Sequence, residues 1–134
     1  MLRILLLTLI MFSNTIQSAE LSKQYSKCMS STKTNSEWSD CSKNEIAYQE
    51  NTLNKVWGEV SKEMKTYSRN AFESLLSEQR AWIKYKDVAC GYYVSVADDG
   101  TPTFGREGTA LHFGACKASI IAERIEYLKV AIPK

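Results

Sequence analysis

The stretch from Ile46 to Tyr67 reads IAYQENTLNKVWGEVSKEMKTY, and its spacing sets the fold class. Ile46, Leu53, Val56, Trp57, Val60, Met64 and Tyr67 recur at steps of three, four or seven. That period places them on one stripe of an amphipathic helix, whereas a half-buried strand would alternate every second residue. Glu50, Lys55, Glu59, Lys62 and Glu63 fall on the solvent side. Ser39, just before Asp40, is the expected start of this helix. Gly58 costs about 1 kcal/mol relative to alanine inside a helix, so it is read as a close helix contact.

Outward from this stretch the same period continues. Ser68-Arg69-Asn70 is a break with Asn70 as the expected cap, after which Phe72, Leu75, Leu76, Gln79, Ile83 and Cys90 form a second stripe. Trp82 and Tyr85 widen it, and Gly91 suits the left-handed position that ends a helix. Ser95 to Gly108 holds Asp98, Asp99, Gly100, Pro102 and Gly105 and reads as a long loop. A last helix is expected from Thr109 to Val130, with Leu111, Ala115, Ala118, Ile121, Ile125 and Leu128 inward, and a short first one around Leu21 to Ser31. Tyr92 to Val96 is the only β-prone stretch. The expectation is an all-α fold, a small bundle of about four helices in which a long helical hairpin packs against a carboxy-terminal helix.

The 134 residues suffice for one domain, and 44% of them are apolar. With 17 basic and 15 acidic side chains the formal charge is +2, too little for electrostatically driven nucleic-acid binding. Residues 1–19 differ from the rest. Arg3 precedes the apolar run Ile4 to Phe12, and polar residues follow up to the small pair Ser18-Ala19. This is the pattern of a secretory signal peptide, with residues 20–134 left as a single domain. The run is too short to span a bilayer, so no membrane span is expected once it is removed. No cysteine sits at the expected cut, which excludes a lipoprotein. The protein is therefore expected in the periplasm or outside the cell.

Cys28, Cys41, Cys90 and Cys116 all lie beyond that leader. An even number of cysteines in an oxidising compartment points to two disulfides. Three pairings are open, and the wide spacings make a zinc site the weaker reading. The local pairing, Cys28–Cys41 and Cys90–Cys116, is favoured. It ties the first helix to the second and the third to the fourth, each closed loop contributing roughly 3 kcal/mol.

Catalytic machinery is not legible. His112 is the only histidine and reads as a helix-surface or partly packed residue. Glu45, Glu50, Glu59, Glu63, Glu73 and Glu78 read as solvated helix positions alternating with lysines. Asp98 and Asp99 suit a turn. There is no phosphate cradle and no metal motif, so neither an enzyme nor a cofactor is expected.

The densest segment is Gln79 to Cys90, QRAWIKYKDVAC. Arg80 and Asp87 stand two turns apart, about 10 Å along the axis, too far to pair readily within one helix. Each is expected to pair with another element, and Arg124 of the last helix is the expected partner of Asp87, with aromatic packing around Trp82.

Gln79-Arg80-Ala81-Trp82, followed by Tyr85-Lys86-Asp87 and Cys90, resembles the Q-R-A-W-x-x-[FY]-[RK]-D-x-x-C signature of the LprI-like lysozyme-inhibitor family. Leu53-Asn54 matches an upstream L-N of that family. Cys116, Arg124 and Leu128 match its closing pattern. Two departures are visible: Asp98 to Gly105 replaces a Gly-Gly-Ser-like segment, and the family's namesake resembles a lipoprotein whereas this chain has no lipid-attachment cysteine. The resemblance implies a small exported helical protein that inhibits lysozyme through a protein–protein contact. It assigns no inhibitory surface, because the shared residues suit a scaffold. An exported immunity or adaptor protein for another wall-active enzyme or toxin is the alternative, and an envelope ligand-binding or stress protein is a further one. The expected contact surface is the loop Ser95 to Gly108, with Asp98, Asp99, Thr101 and Phe104. It is acidic, expected to be exposed, and tethered on both sides by Cys90 and Cys116.

Overall fold

The computed structural model describes residues 19–133, so the expected leader lies outside the described residues apart from Ala19. Four α-helices follow in order: α1 Lys23–Ser31, α2 Asn35–Tyr67, α3 Arg69–Val88 and α4 Gly105–Val130, with a 3-10 turn at Gly91–Val94. The all-α expectation holds, and both disulfides form as favoured, Cys28–Cys41 and Cys90–Cys116. No cysteine is left over to bind zinc.

With 33 residues, α2 is about 50 Å long and forms the spine against which the other helices lie. It starts at Asn35, several residues before the expected Ser39. Thr34 accepts from the Glu37 backbone while Glu37 reaches back to the Thr34 backbone, a reciprocal cap. The break before α3 is a single residue. Ser68, and not Asn70, caps it by accepting from the Ala71 backbone at 3.3 Å. The chain reverses there, and the α2–α3 hairpin forms. The most extensive interface nevertheless joins α2 to α4. These two run parallel, with Ser42 facing Gly114 and Gln49 beside Ala122.

The core gathers Leu53, Val60 and Met64 from α2, Leu75 from α3, and Ile121, Ile125 and Leu128 from α4. Trp57, Phe72 and Trp82 pack on it from the side. Several expectations of the stripe fail at its edges. Tyr67 and Ile83 are exposed because α3 and α4 cover only part of α2 and α3. Gly58 is open, with nothing within 4 Å of a notional Cβ. The close helix contact is at Gly114, where a Cβ would collide with Ser42 of α2. The left-handed residue that follows α3 is Cys90 (φ 68°), a member of the second disulfide, and not Gly91.

Glu45 corrects the reading of the carboxylates most sharply. It is 3% exposed and accepts from the Ser22 backbone and Gln49 Nε2, both at 2.8 Å, and from Ser22 Oγ. Far from being solvated, it pins the segment leading into α1 to the first third of the spine. Ser22 also caps α1 by accepting from the Tyr25 backbone at 3.0 Å, so one residue begins the helix and fastens it. Among the described residues no helix is long and apolar enough to cross a membrane.

Candidate functional site

Between the two cysteines of the second disulfide the chain leaves the bundle. Ser95 to Thr103 folds as a tight hairpin, shorter than the expected loop because α4 starts at Gly105 and not at Thr109. Val96 and Pro102 form an antiparallel bridge. Thr103 donates to the Ser95 carbonyl at 2.9 Å and Ala97 to the Thr101 carbonyl at 2.8 Å. Gly100 closes the turn onto Ala97 at 2.8 Å and takes the left-handed φ of 81° that the reversal requires. Asp99 fastens the tip: its Oδ1 accepts from the Thr101 backbone at 2.9 Å and from Thr101 Oγ1 at 2.7 Å. Those two hydrogen bonds hold the Asp99 carboxyl below its ordinary 3.8, so it stays ionised to lower pH. Asp98 is exposed beside it.

An aromatic cluster seats the base of this hairpin. Phe104 meets Tyr92 edge-on at 4.9 Å and Tyr93 at 5.0 Å, and Tyr93 lies 5.7 Å from His112 of α4. Thr109 Oγ1 donates to the Tyr93 carbonyl at 3.0 Å. Tyr92 and Val94 of the 3-10 turn and Val96 of the hairpin are exposed. Of the expected contact residues, Asp98, Asp99 and Thr101 are together at the tip, whereas Phe104 is half-buried in the base.

The Gln79–Cys90 segment divides. Leu53, Gln79, Arg124 and Leu128 are buried and Trp82 half-buried. Asn54, Arg80, Ala81, Tyr85 and Asp87 are exposed. Arg124 does not pair with Asp87. Its Nε donates to Gln79 at 2.8 Å and its Nη1 to Glu78 at 2.5 Å, with the guanidinium 4.6 Å from the Tyr127 ring centre and 5.7 Å from that of Trp82. The reason is antiparallel register. Counting outward from Cys90–Cys116, α4 meets progressively earlier residues of α3, so residue 124 arrives opposite 82 and its long side chain bonds one turn further along, at Glu78 and Gln79. Lys117, near the disulfide, meets the end of α3 instead and donates to the Lys86 and Asp87 carbonyls at 2.5 and 3.0 Å. Those carbonyls lack partners within the helix, which makes a cation there favourable. Arg80 makes no ion pair among the described residues.

Glu78 also accepts from the Tyr127 hydroxyl at 2.9 Å. Burial raises its pKa, but the hydrogen bonds from Arg124 and Tyr127 and the Arg124 charge outweigh that and hold it below 4.5. The hydrogen bond to Glu78 in turn raises the Tyr127 phenol above 10.0. Lys86 reaches α2 and pairs with Glu50 at 2.9 Å, a cross-helix contact that periodicity could not reveal. Among the described residues no three His, Cys, Asp or Glu side chains gather as metal ligands would.

Comparison with curated proteins and with solved structures returned no match. The family model described as lysozyme inhibitor LprI matches residues 16–128. That span takes in both disulfides, all four helices up to the last buried leucine, and the hairpin they carry. The chain belongs to the LprI lysozyme-inhibitor family.

Proposed function

We propose that the protein is exported to the bacterial envelope by a cleaved signal peptide at residues 1–19 and there inhibits lysozyme by direct binding, not by catalysis. Family membership carries the inhibitory reading. Two disulfides and the leader pattern of Arg3, Ile4 to Phe12 and Ser18-Ala19 support export.

The inhibitory surface is the hairpin with Asp98, Asp99 and Thr101 at its tip, and Phe104 positions it from the base. What supports this is its preorganisation. Its ends are tied by Cys90–Cys116, its strands by backbone bonds and its tip by Asp99, so docking orders little further chain. Many lysozymes are strongly basic, and two exposed carboxylates favour encounter with a basic cleft. The exposed Tyr92 at the base and Val96 in the hairpin supply the apolar contact that charge alone does not.

The test uses the disulfide-bonded protein and follows lysis of bacterial cell walls by lysozyme at several salt concentrations. The parent should protect the walls, less so as salt rises. Asp98→Ala/Asp99→Ala should weaken inhibition about tenfold at low salt and flatten its salt dependence. Full inhibition by that variant, with loss in a Trp82→Ala variant of unchanged melting temperature, would move the surface to α3. Absence of protection by the parent would refute the inhibitory function.

A further inference from the structure

We propose that Asp99–Gly100, at the tip of the hairpin, is a covalent modification site where aspartate rearranges to isoaspartate, and that Thr101 restrains the change. It is the one Asp-Gly pair in the chain, and both residues are exposed. In this rearrangement the Gly100 nitrogen attacks Asp99 Cγ and a C–N bond forms. The amide hydrogen and the carboxyl hydroxyl leave together as water. The five-membered imide then takes water back at either carbonyl. Opening at the side-chain carbonyl returns aspartate, whereas opening at the main-chain carbonyl leaves the chain running through Cβ and Cγ. Water is the only other reactant.

The tip both permits this reaction and holds it back. Gly100 carries no Cβ to crowd the ring as it closes, and even an added one would meet nothing within 4 Å. Three hydrogen bonds oppose closure. The Gly100 N–H donates to the Ala97 carbonyl at 2.8 Å, which occupies the attacking nitrogen. Asp99 Oδ1 accepts from the Thr101 backbone at 2.9 Å and from Thr101 Oγ1 at 2.7 Å, which turns the carboxylate toward Thr101. The same two bonds keep Asp99 ionised to lower pH, and the ionised form has no hydroxyl to lose. Local opening of the hairpin therefore sets the rate.

The product differs from the parent where the hairpin is most tightly tied. The main chain gains one methylene between residues 99 and 100, and the carboxylate moves onto the Cα of residue 99. Thr101 then loses the acceptor that fastens it, and the Ala97 bond to the Thr101 carbonyl loses its register. The mass of the protein is unchanged. On the reading that this hairpin meets lysozyme, on which this consequence alone rests, the rearranged protein is the weaker inhibitor.

The test incubates three samples in warm, mildly acidic buffer: the disulfide-bonded protein, the same chain reduced, alkylated and held in urea, and a disulfide-bonded Thr101→Val variant. Isoaspartate is counted by enzymatic methyl transfer to its carboxylate and placed by fragmentation of the tryptic peptide Asp87–Arg106. It should appear first at residue 99. The folded parent should react at least about tenfold more slowly than the reduced chain, as expected for the loss of two or three hydrogen bonds on opening. Thr101→Val keeps the backbone donor and loses the hydroxyl, so it should react several-fold faster than the parent at an unchanged melting temperature. Equal rates in the folded and reduced chains, a Thr101→Val rate equal to the parent's, or isoaspartate that appears first elsewhere overturns the proposal. Lysozyme takes no part in these readouts, so their failure is distinguishable from failure of the inhibitory reading.

Discussion

Replacing Gly114 by alanine adds one methyl group where α4 crosses α2, against Ser42. The new Cβ would collide with Ser42 Cβ and lie 2.5 Å from Ser42 Oγ. Carbon atoms pack at about 3.5 to 4 Å, so the helices must separate by roughly 1 Å or more at this point. The neighbour is the root of a side chain on a fixed helix, not a flexible tip, and the contact lies in the most extensive interface of the bundle. Overpacking of this kind costs about 1 to 3 kcal/mol, and the rigidity of both partners places it near 3. Alanine returns up to about 1 kcal/mol of helix propensity, leaving a net loss near 2. For a domain of this size that lowers the melting temperature by about 8 °C. The discriminating variant is the exchange, Ser42→Gly with Gly114→Ala, which restores one methyl between the helices. Chemical denaturation of the four proteins gives the cycle, and the double variant should recover at least about 1 kcal/mol over the sum of the singles. Ser42→Ala in place of Ser42→Gly should not rescue, since it keeps the colliding Cβ. Additive singles, or a Gly114→Ala protein as stable as the parent, would refute the contact.

Glu45→Ala strips three partners from a buried carboxylate and should cost about 1 to 3 kcal/mol. Hydrogen exchange should rise first in the segment before α1, because Cys28–Cys41 still holds the helix itself. Glu78 has a pKa below its ordinary 4.5 when folded, so its contribution is fully present above that value and is lost as pH falls through the folded pKa. Denaturation from pH 6 to 3 should show a shallower loss for Glu78→Gln, and identical slopes would show the Arg124–Tyr127 contacts to be without effect. Cys90→Ala/Cys116→Ala removes the closure of a loop of separation 26 and should cost about 3 kcal/mol. In the cell-wall assay that variant should lose more inhibition than its remaining folded fraction accounts for, since the hairpin loses its tether.

Periodicity carried the fold a long way. The stripes of α2, α3 and α4 emerge from residues such as Val60, Leu75 and Ile121, each with its neighbours three or four positions off, and the disulfides follow from an even cysteine count, the expected export and proximity in the chain. Helix ends were partly legible too: Thr34 and Glu37 spell a capping box, and reading Ser39 as the start passed over it. Contacts between helices are another matter, because they depend on register. Arg124 could have been placed opposite residues 78 to 82 by counting outward from Cys90–Cys116 in opposite directions, and the choice of Asp87 ignored that geometry. Glu45 has no such remedy. Its burial depends on Ser22 arriving from 23 residues earlier, and nothing in the spacing of one helix announces that. The hairpin was legible as acidic and exposed. Its bridge at Val96 and Pro102, its aromatic seat and the early start of α4 were hidden by turn-forming residues that equally suit an open loop.

The two disulfides neither cross nor enclose one another: the first is closed, at Cys41, before the second begins, at Cys90. A chain threaded amino end first into an oxidising compartment presents its cysteines one at a time. An oxidant that joins each newly arrived thiol to the one before it produces the native set with no reshuffling. Cys28 meets Cys41 while the 48 residues before Cys90 are still to come, so a mispaired Cys41–Cys90 form needs the first pair to be late. For the export proposed above, maturation would therefore call for a thiol oxidant and not for a disulfide isomerase. Refolding of the fully reduced chain should yield the native pairs directly when oxidation is slow, since both loops are short enough for their ends to meet faster than distant cysteines do.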